Sequence, residues 1–105
     1  VHHWADCPHG PGRAINMNRL GAALLREGGD ETGSGPPIES LFVFGANPAT
    51  ATVAANKIRQ GMLREDLFTV VHELFLTDTA DLADLVLPAT SQLEQVDLHK
   101  AYGST

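Results

Sequence analysis

Three short apolar runs, separated by segments with helical spacing, constrain the fold of this chain most strongly. Residues 38–45 and 67–71 are rich in Val, Leu and Phe, and residues 84–88 form a shorter run that ends at Pro88. Residues 41–44 are continuously apolar rather than alternating, which is typical of a parallel strand covered on both faces. Strands separated by helices pair in parallel through right-handed crossovers. The sequence therefore predicts an α/β fold with a short parallel sheet of about three strands and flanking helices.

The segments between these runs carry helical periodicity. Apolar residues recur at helical spacing after Asn16, a good N-cap, up to Leu25. Gly21 within this helix costs about 1 kcal/mol relative to Ala, which points to a close packing contact. A second helix is predicted over roughly residues 52–63, with these residues facing inward: Val53, Ile58, Met62 and Leu63. Its start is open between Asn47, followed by Pro48 at the first helical position, and a cap at Thr50 or Thr52.

Two further local features complete the predicted order of elements. Residues 78–83 suggest a short helical turn capped by Thr77 or Asp78, and the chain after Pro88 is expected to be irregular with at most a turn. Residues 1–14 are polar and are predicted to form a loop, which leaves residues 15–105 as a partial α/β domain.

Composition limits the classes of partner. The 105 residues allow one domain at most, and 43% hydrophobic residues suffice for a core. Seven basic and thirteen acidic residues give a net charge of −6, which argues against non-specific nucleic-acid binding. No apolar run reaches the roughly 18 residues of a membrane span, and no secretory signal is visible. We therefore expect a cytoplasmic protein without a membrane span.

The N-terminal segment holds potential zinc ligands in an unsuitable pattern. His2, His3, Cys7 and His9 do not match the usual Cys-x₂-Cys and His-x₃-His spacings. Cys7 lies beside Pro8 without a glycine-rich helix start that would lower its pKa. The sequence therefore predicts neither a specific metal site nor a nucleophilic cysteine here.

The turn Gly45-Ala-Asn-Pro48 is the first candidate for ligand binding. It follows an apolar strand and precedes a helix, where glycine permits close approach of a ligand to the backbone. It lacks the full Gly-x-Gly-x-x-Gly fingerprint, so local sequence alone favours a simple strand-to-helix turn with Asn47 as the cap over a ligand site.

Polar residues also follow the second strand. Glu73 lies 26 residues after Asn47, near the position where nucleotide-binding folds use an acidic residue to bind ribose hydroxyls. A carboxylate can also accept hydrogen bonds from the N1 and N2 edge of guanine, or simply be solvated. His72 could be buried or stacked, and a place in a polar cleft is the favoured interpretation. The hydroxyls and carboxylate of residues 77–79 could contact a ligand, cap a helix, or do both.

Three segments resemble one enzyme family. They are Arg13-Ala-Ile-Asn-Met-Asn-Arg-Leu-Gly, Leu41-Phe-Val-Phe-Gly-Ala-Asn-Pro-Ala, and the run from Val70 through Thr-Asp-Thr-Ala-Asp-Leu-Ala-Asp-Leu-Val-Leu-Pro-Ala-Thr. This pattern is similar to the catalytic subunits of molybdopterin oxidoreductases of the dimethyl sulfoxide reductase family, which include formate dehydrogenases and nitrate reductases. The resemblance covers roughly residues 11 to 103.

The resemblance implies a fragment of a larger enzyme. Family members are several times longer and bind molybdenum or tungsten through two molybdopterin guanine dinucleotides, and most carry an iron–sulfur cluster near the N-terminus. The metal-ligating residue lies upstream of the segment resembled here, so Cys7 does not take that role. The implied fold is part of a Rossmann-like, three-layer α/β domain that binds one dinucleotide. The implied partners are the remainder of the catalytic subunit and an iron–sulfur or other electron-transfer partner. The fragment alone is expected to be inactive and without bound cofactor.

The resemblance also implies individual binding residues. Asn47 matches the Asn that contacts the dinucleotide, and His72 and Glu73 match the two residues at a strand end, although many members have Asp at the position of Glu73. Thr77 matches a Thr of the polar turn. Gln95 matches a position that is Lys in some members, so a charged contact is expected to be absent here. Two other interpretations stay open: a free-standing nucleotide-binding or regulatory module without metal, and an interaction domain without a ligand.

Overall fold

The protein is an α/β unit built around a parallel sheet. The computed structural model describes residues 14–27 and 35–96. Within them the strands are β1 (Ser40–Phe44), β2 (Phe68–Glu73) and β3 (Leu85–Pro88). The helices are α1 (Leu20–Leu24), α2 (Pro48–Ala51) and α3 (Ala55–Met62), and 3-10 turns span Met17–Arg19 and Ala80–Leu82. The predicted fold class is confirmed, and so is the order of elements, except that two helices stand where one was predicted between β1 and β2.

The sheet has the strand order β1-β2-β3, and both pairs of strands are parallel. The register aligns Phe44 with His72, and it aligns Glu73 with Pro88. The carboxyl ends of all three strands therefore lie at the same edge of the sheet.

The first helix begins where the sequence predicts. The Asn16 Oδ1 accepts a hydrogen bond from the Asn18 backbone N–H at 2.9 Å, and a 3-10 turn leads into α1. The close contact expected at Gly21 is present, because a Cβ atom there would lie 2.8 Å from the Lys57 Cβ. The glycine therefore allows α1 to pack closely on α3.

The predicted second helix is two helices in the structure. It starts at the earliest of the predicted positions, since Asn47 is the N-cap residue of α2 and Pro48 is its first residue. Thr52 is extended and its hydroxyl donates to the Pro48 carbonyl at 2.7 Å, while Ala54 takes the left-handed conformation with φ 58°. These two residues break the helix before α3. The prediction that Val53 and Leu63 face inward is wrong: both are exposed, because Val53 lies in the break between α2 and α3 and Leu63 lies just after α3.

Helices cover one face of the sheet among the described residues. One buried cluster joins α1 and α3 to the sheet, and a second lies between the sheet and the Ala80–Leu82 turn; their buried members are Leu24, Val43, Ile58, Met62, Leu67, Val71 and Ala80. The helices are short, and among residues 14–27 and 35–96 none is long and apolar enough to cross a membrane.

The opposite face of the sheet is apolar and exposed. Phe42 is 62% exposed and Phe44 is 70% exposed, and these strand residues share their face: Phe68, Leu85 and Leu87. The continuous apolar run of β1 predicted a strand covered on both faces. The described residues cover only one of them, because α1, α3 and the Ala80–Leu82 turn pack on the side of Val43 and Val71.

Candidate functional site

The carboxyl edge of the sheet brings together the turns that follow the three strands. The Gly45 N–H donates to the His72 carbonyl at 3.1 Å, and the Ala89 N–H donates to the Glu73 carbonyl at 3.0 Å. Gly45 has a φ of 54°, and a Cβ built there would meet no atom of residues 14–27 and 35–96 within 4 Å. This edge is therefore open next to the backbone, as ligand sites in parallel α/β sheets usually are.

Asn47 is held by the polar turn. It occupies the N-cap position of α2, yet its side chain makes no capping hydrogen bond. Its Oδ1 instead accepts from the Thr79 hydroxyl at 2.5 Å, and the same Thr79 oxygen accepts from the Ala49 N–H at 3.0 Å. Thr79 is fully buried, so these bonds fix the position of the half-buried Asn47 side chain.

His72 and Glu73 extend to opposite faces of the sheet, because neighbouring residues of a strand alternate. His72 lies on the exposed apolar face, where its ring stacks on Phe44 with centroids 5.2 Å apart and planes at 19°. Stacking was among the predicted environments for this residue, whereas the favoured polar cleft is wrong, because the ring lies on an apolar face. Glu73 is half-buried, and its Oε1 accepts from the Leu74 N–H at 2.7 Å. The two residues therefore cannot contact one ligand group from the same side.

The polar turn leads into the 3-10 turn Ala80–Leu82, whose N-cap residue is Thr79 rather than the predicted Thr77 or Asp78, and the Thr79 side chain makes no capping hydrogen bond there. The Thr77 Oγ1 accepts from the Ala80 N–H at 3.3 Å at the start of the 3-10 turn. Asp78 accepts a hydrogen bond from the Thr50 hydroxyl at 2.7 Å, and the Arg59 guanidinium lies 3.8 Å from the same carboxylate oxygen. Thr77 therefore has a structural partner, and Asp78 ties the turn to α2 and α3.

Gln95 is exposed and stays close to the end of β3. Its Oε1 accepts from the hydroxyl of Thr90, two residues after that strand, at 2.9 Å. The neighbouring Glu94 accepts from the Ser91 N–H at 2.8 Å, and this hydrogen bond lowers the pKa of the Glu94 carboxyl. The segment after β3 is thus a turn, as predicted, and it holds Gln95 near the edge.

Asp84 supports the sheet. Its Oδ2 accepts from the Thr69 N–H at 2.7 Å, while its own N–H donates to the Thr69 carbonyl at 3.0 Å. Both hydrogen bonds of Asp84 therefore go to the backbone of a neighbouring strand.

The anchoring role of Thr79 was missed by sequence reasoning, which treated residues 77–79 as caps or ligand contacts. Thr79 and Asn47 are 32 residues apart, and no local pattern links them. The sequence indicates this role only indirectly: the turn contains two hydroxyl residues, Thr77 and Thr79, although one is enough to cap a helix.

Metal-binding side chains do not cluster in the described part of the chain. No group of three or more His, Cys, Asp or Glu residues there could hold an ion. The predicted absence of a specific site at His2, His3, Cys7 and His9 concerns residues outside the described ranges.

Comparison with known proteins gives a family match over most of the chain. Residues 17–101 match the family model described as molybdopterin oxidoreductase. No solved structure matches the chain at a significant level.

Several curated proteins are similar to this chain. The "Probable oxidoreductase YoaE" of Bacillus subtilis (strain 168) is 57% identical over 86% of this chain, which covers 12% of that protein. The "Assimilatory nitrate reductase catalytic subunit" of the same organism is 39% identical over 54% of the chain and 8% of its own length. "Trimethylamine-N-oxide reductase 1" of Escherichia coli (strain K12) is 31% identical over 90% of the chain and 10% of its own length. The chain thus spans about a tenth of the length of these relatives.

Proposed function

This chain belongs to the molybdopterin oxidoreductase family, and we propose that it binds the guanine dinucleotide part of the molybdenum or tungsten cofactor as one segment of a larger catalytic subunit. Membership of the family implies a molybdopterin cofactor, which supplies the redox chemistry when bound. The proposed binding residues are Asn47, His72, Glu73, Thr77 and Gln95. In this proposal the segment belongs to a Rossmann-like domain, and the isolated chain is inactive.

The observation that carries the proposal is the convergence of polar groups at one open sheet edge. Gly45, Asn47 and Glu73 all lie at the ends of β1 and β2, which neighbour each other in the sheet. The open space beside Gly45 allows a ligand to approach the backbone closely. Parallel α/β sheets bind nucleotides in this position.

The chemistry of these side chains suits a guanine nucleotide. Glu73 uses Oε1 for the Leu74 N–H, and its Oε2 makes no hydrogen bond within the described residues. A carboxylate oxygen accepts hydrogen bonds from guanine N1–H and N2–H, whereas it would oppose the acceptor N1 of adenine. The Asn47 amide offers donors that suit the acceptor atoms of a nucleotide. The residues present therefore fit the proposed group.

The exposed apolar face supports the second part of the proposal, that the chain is a segment of a larger subunit. A parallel sheet is normally covered on both faces, and Phe42 and Phe44 lie on a face without cover among the described residues. The chain makes up about a tenth of its relatives' length, so ample polypeptide is available in such proteins to cover this face. We assign the part of this face around Phe42 and Phe68 to helices from the remainder of the same catalytic subunit, and the carboxyl edge at His72 to the nucleotide.

A nucleotide titration tests the binding proposal. We expect GDP, but not ADP, to shift the NMR amide resonances of Gly45 and Glu73, with an affinity on the order of millimolar because the rest of the site is missing. Glu73→Gln should abolish the GDP response, since it keeps an acceptor for Leu74 and replaces the free oxygen with a donor. Glu39→Gln is the matched control, because Glu39 is exposed and precedes β1 at the opposite edge.

Two results would contradict this function. Guanine binding by this edge would be refuted if the amide resonances of Gly45 and Glu73 did not shift at saturating GDP. It would also be refuted if GDP shifted them equally in Glu73→Gln. Tight, metal-independent GDP binding that is lost in Glu73→Gln would instead support the free-standing nucleotide-binding module. The molybdenum, tungsten and pterin content of the complete gene product that contains this chain provides an independent check.

A further inference from the structure

The hydrogen bonds around Thr79 assign a specific role to this buried residue. We propose that Thr79 is the positioning residue of the site: it holds Asn47 so that the two N–H groups of the Asn47 amide donate to an acceptor oxygen of the ligand. The ligand group is therefore a phosphate or carbonyl oxygen rather than a hydrogen-bond donor. This inference rests on the proposed function for its ligand, but the positioning itself can be tested without one.

Thr79 replaces Asn47 as the cap of α2. An Asn at an N-cap normally accepts from the N–H of the second or third helical residue. Here the second residue is Ala49, and its N–H donates to Thr79 Oγ1 across 30 residues of sequence. Asn47 is therefore not needed as a cap, and its side chain is available for another contact.

The contact between Thr79 and Asn47 indicates that the amide oxygen of Asn47, and not its nitrogen, faces the Thr79 hydroxyl. The distance of 2.5 Å from Thr79 Oγ1 to Asn47 Oδ1 suits an O–H···O bond, whereas N–H···O bonds are usually about 2.9–3.0 Å. The hydroxyl of Thr79 thus donates to Oδ1 while its oxygen accepts from Ala49. The Asn47 Nδ2 group then keeps both donors, and it has no hydrogen-bond partner among the described residues.

Burial makes this arrangement selective. Thr79 and Ala49 are both fully buried, so water cannot replace either hydrogen bond at low cost. A rotation of the Asn47 amide by 180° would place Nδ2 against Thr79 and would present an acceptor to the ligand. The Thr79 oxygen could accept from Nδ2 with its second lone pair, but the buried Thr79 O–H would then lose its acceptor. This cost opposes the rotation, and the site therefore discriminates for acceptor atoms.

The positioning is measured first on the chain without ligand. In Thr79→Val, which keeps the shape and removes the hydroxyl, we expect the Asn47 side-chain amide to lose its rigid ¹⁵N relaxation behaviour. We also expect the Ala49 N–H to exchange about five-fold faster, as the loss of one hydrogen bond predicts. Thr79→Ser should restore both properties. Thr50→Val is the matched control, because its hydroxyl donates to Asp78 instead.

The donor role is measured with GDP and guanosine as probes. GDP should shift the Asn47 side-chain resonances in the wild type and in Thr79→Ser. The GDP-induced shifts of the Gly45 and Glu73 backbone amides should be lost in Asn47→Asp, which still accepts from Thr79 but has no donors. A shift with GDP but not guanosine identifies a phosphate oxygen as the acceptor, and an equal shift with both identifies the base or the sugar.

An Asn47 amide that is as rigid in Thr79→Val as in the wild type would overturn the proposal, as would an undiminished GDP response in Asn47→Asp. If Thr79→Val does not fold, wild-type protection of the Ala49 N–H in Asn47→Asp supports the network, and loss of that protection refutes it. If the positioning results hold but GDP produces no shift, Thr79 positions Asn47 and the proposed guanine nucleotide ligand is wrong.

Discussion

Because α1 packs closely on α3, we expect Gly61→Ala to destabilise the protein. A Cβ atom at this position would lie 2.4 Å from the Leu24 Cβ and 3.2 Å from the Leu24 Cδ1. Ordinary contact begins near 3.4 Å, so Gly61→Ala requires the two Cβ atoms to separate by about 1 Å. Because the nearest atom is the Cβ of Leu24 rather than the end of its side chain, no change of rotamer relieves the overlap. The helices themselves must move apart.

Two opposing effects set the size of the change. Overpacking a core costs about 1–3 kcal/mol, and an overlap that involves the helix backbone positions belongs at the upper end. Replacing Gly by Ala inside a helix contributes about 1 kcal/mol in the opposite direction. We therefore expect Gly61→Ala to lower the free energy of unfolding by about 2 kcal/mol. For a domain of this size the corresponding fall in Tm is about 8–16 °C.

Urea unfolding followed by circular dichroism measures this change, with an unchanged m-value showing that the unfolded state is the same. Gly21→Ala offers a graded comparison, since its nearest contact is 2.8 Å and the expected loss is smaller, about 1 kcal/mol. Gln60→Ala, on the exposed side of α3, is the control and should lie within about 0.5 kcal/mol of the wild type. A Gly61→Ala protein as stable as the wild type would refute the reasoning, because the overlap with Leu24 would then cost no more than the gain in helix propensity.

Three further changes test other parts of the fold. Thr69 is fully buried and its hydroxyl has no hydrogen-bond partner within the described residues. Thr69→Val should therefore raise the free energy of unfolding by about 1 kcal/mol in urea titrations. A lower free energy of unfolding in this variant would mean that the hydroxyl does have a partner. Arg64 donates to the Leu24 carbonyl at 2.5 Å and to both carboxylate oxygens of Asp66. Lysine cannot make this forked contact, so Arg64→Lys should lower the free energy of unfolding by about 1–2 kcal/mol. The hydrogen bond from Arg64 holds the pKa of Asp66 below its usual value of 3.8; this stabilisation is present above that pH and is lost as pH falls through the lower folded-state pKa. The urea midpoint of Asp66→Asn should therefore fall less steeply than that of the wild type below about pH 4, and parallel curves would contradict this assignment.

Local patterns were sufficient for much of the fold. The Asn16 cap, the three strands and the turn after Thr77 each depend on residues within a few positions of one another, and all lie where the pattern places them. The prediction of a single second helix was wrong because the break arises from backbone conformations at Thr52 and Ala54, two residues that helices tolerate. Nothing in their local sequence requires the left-handed φ of Ala54.

In the candidate site, too, the sequence predicts the features that depend on nearby residues but not the contacts between distant ones. The sequence alone places Gly45, Asn47 and Glu73 after strands, because β propensity and turn chemistry act over short distances. It cannot show that Thr79 takes over the cap of α2, since that requires two turns 32 residues apart to meet in a buried contact. Likewise, the apolar run of β1 indicates that both of its faces suit burial, but which face receives α1 and α3 depends on the crossovers and on the close approach allowed by Gly21 and Gly61. Such contacts form between distant segments, so they emerge only when the whole sheet and its helices pack together.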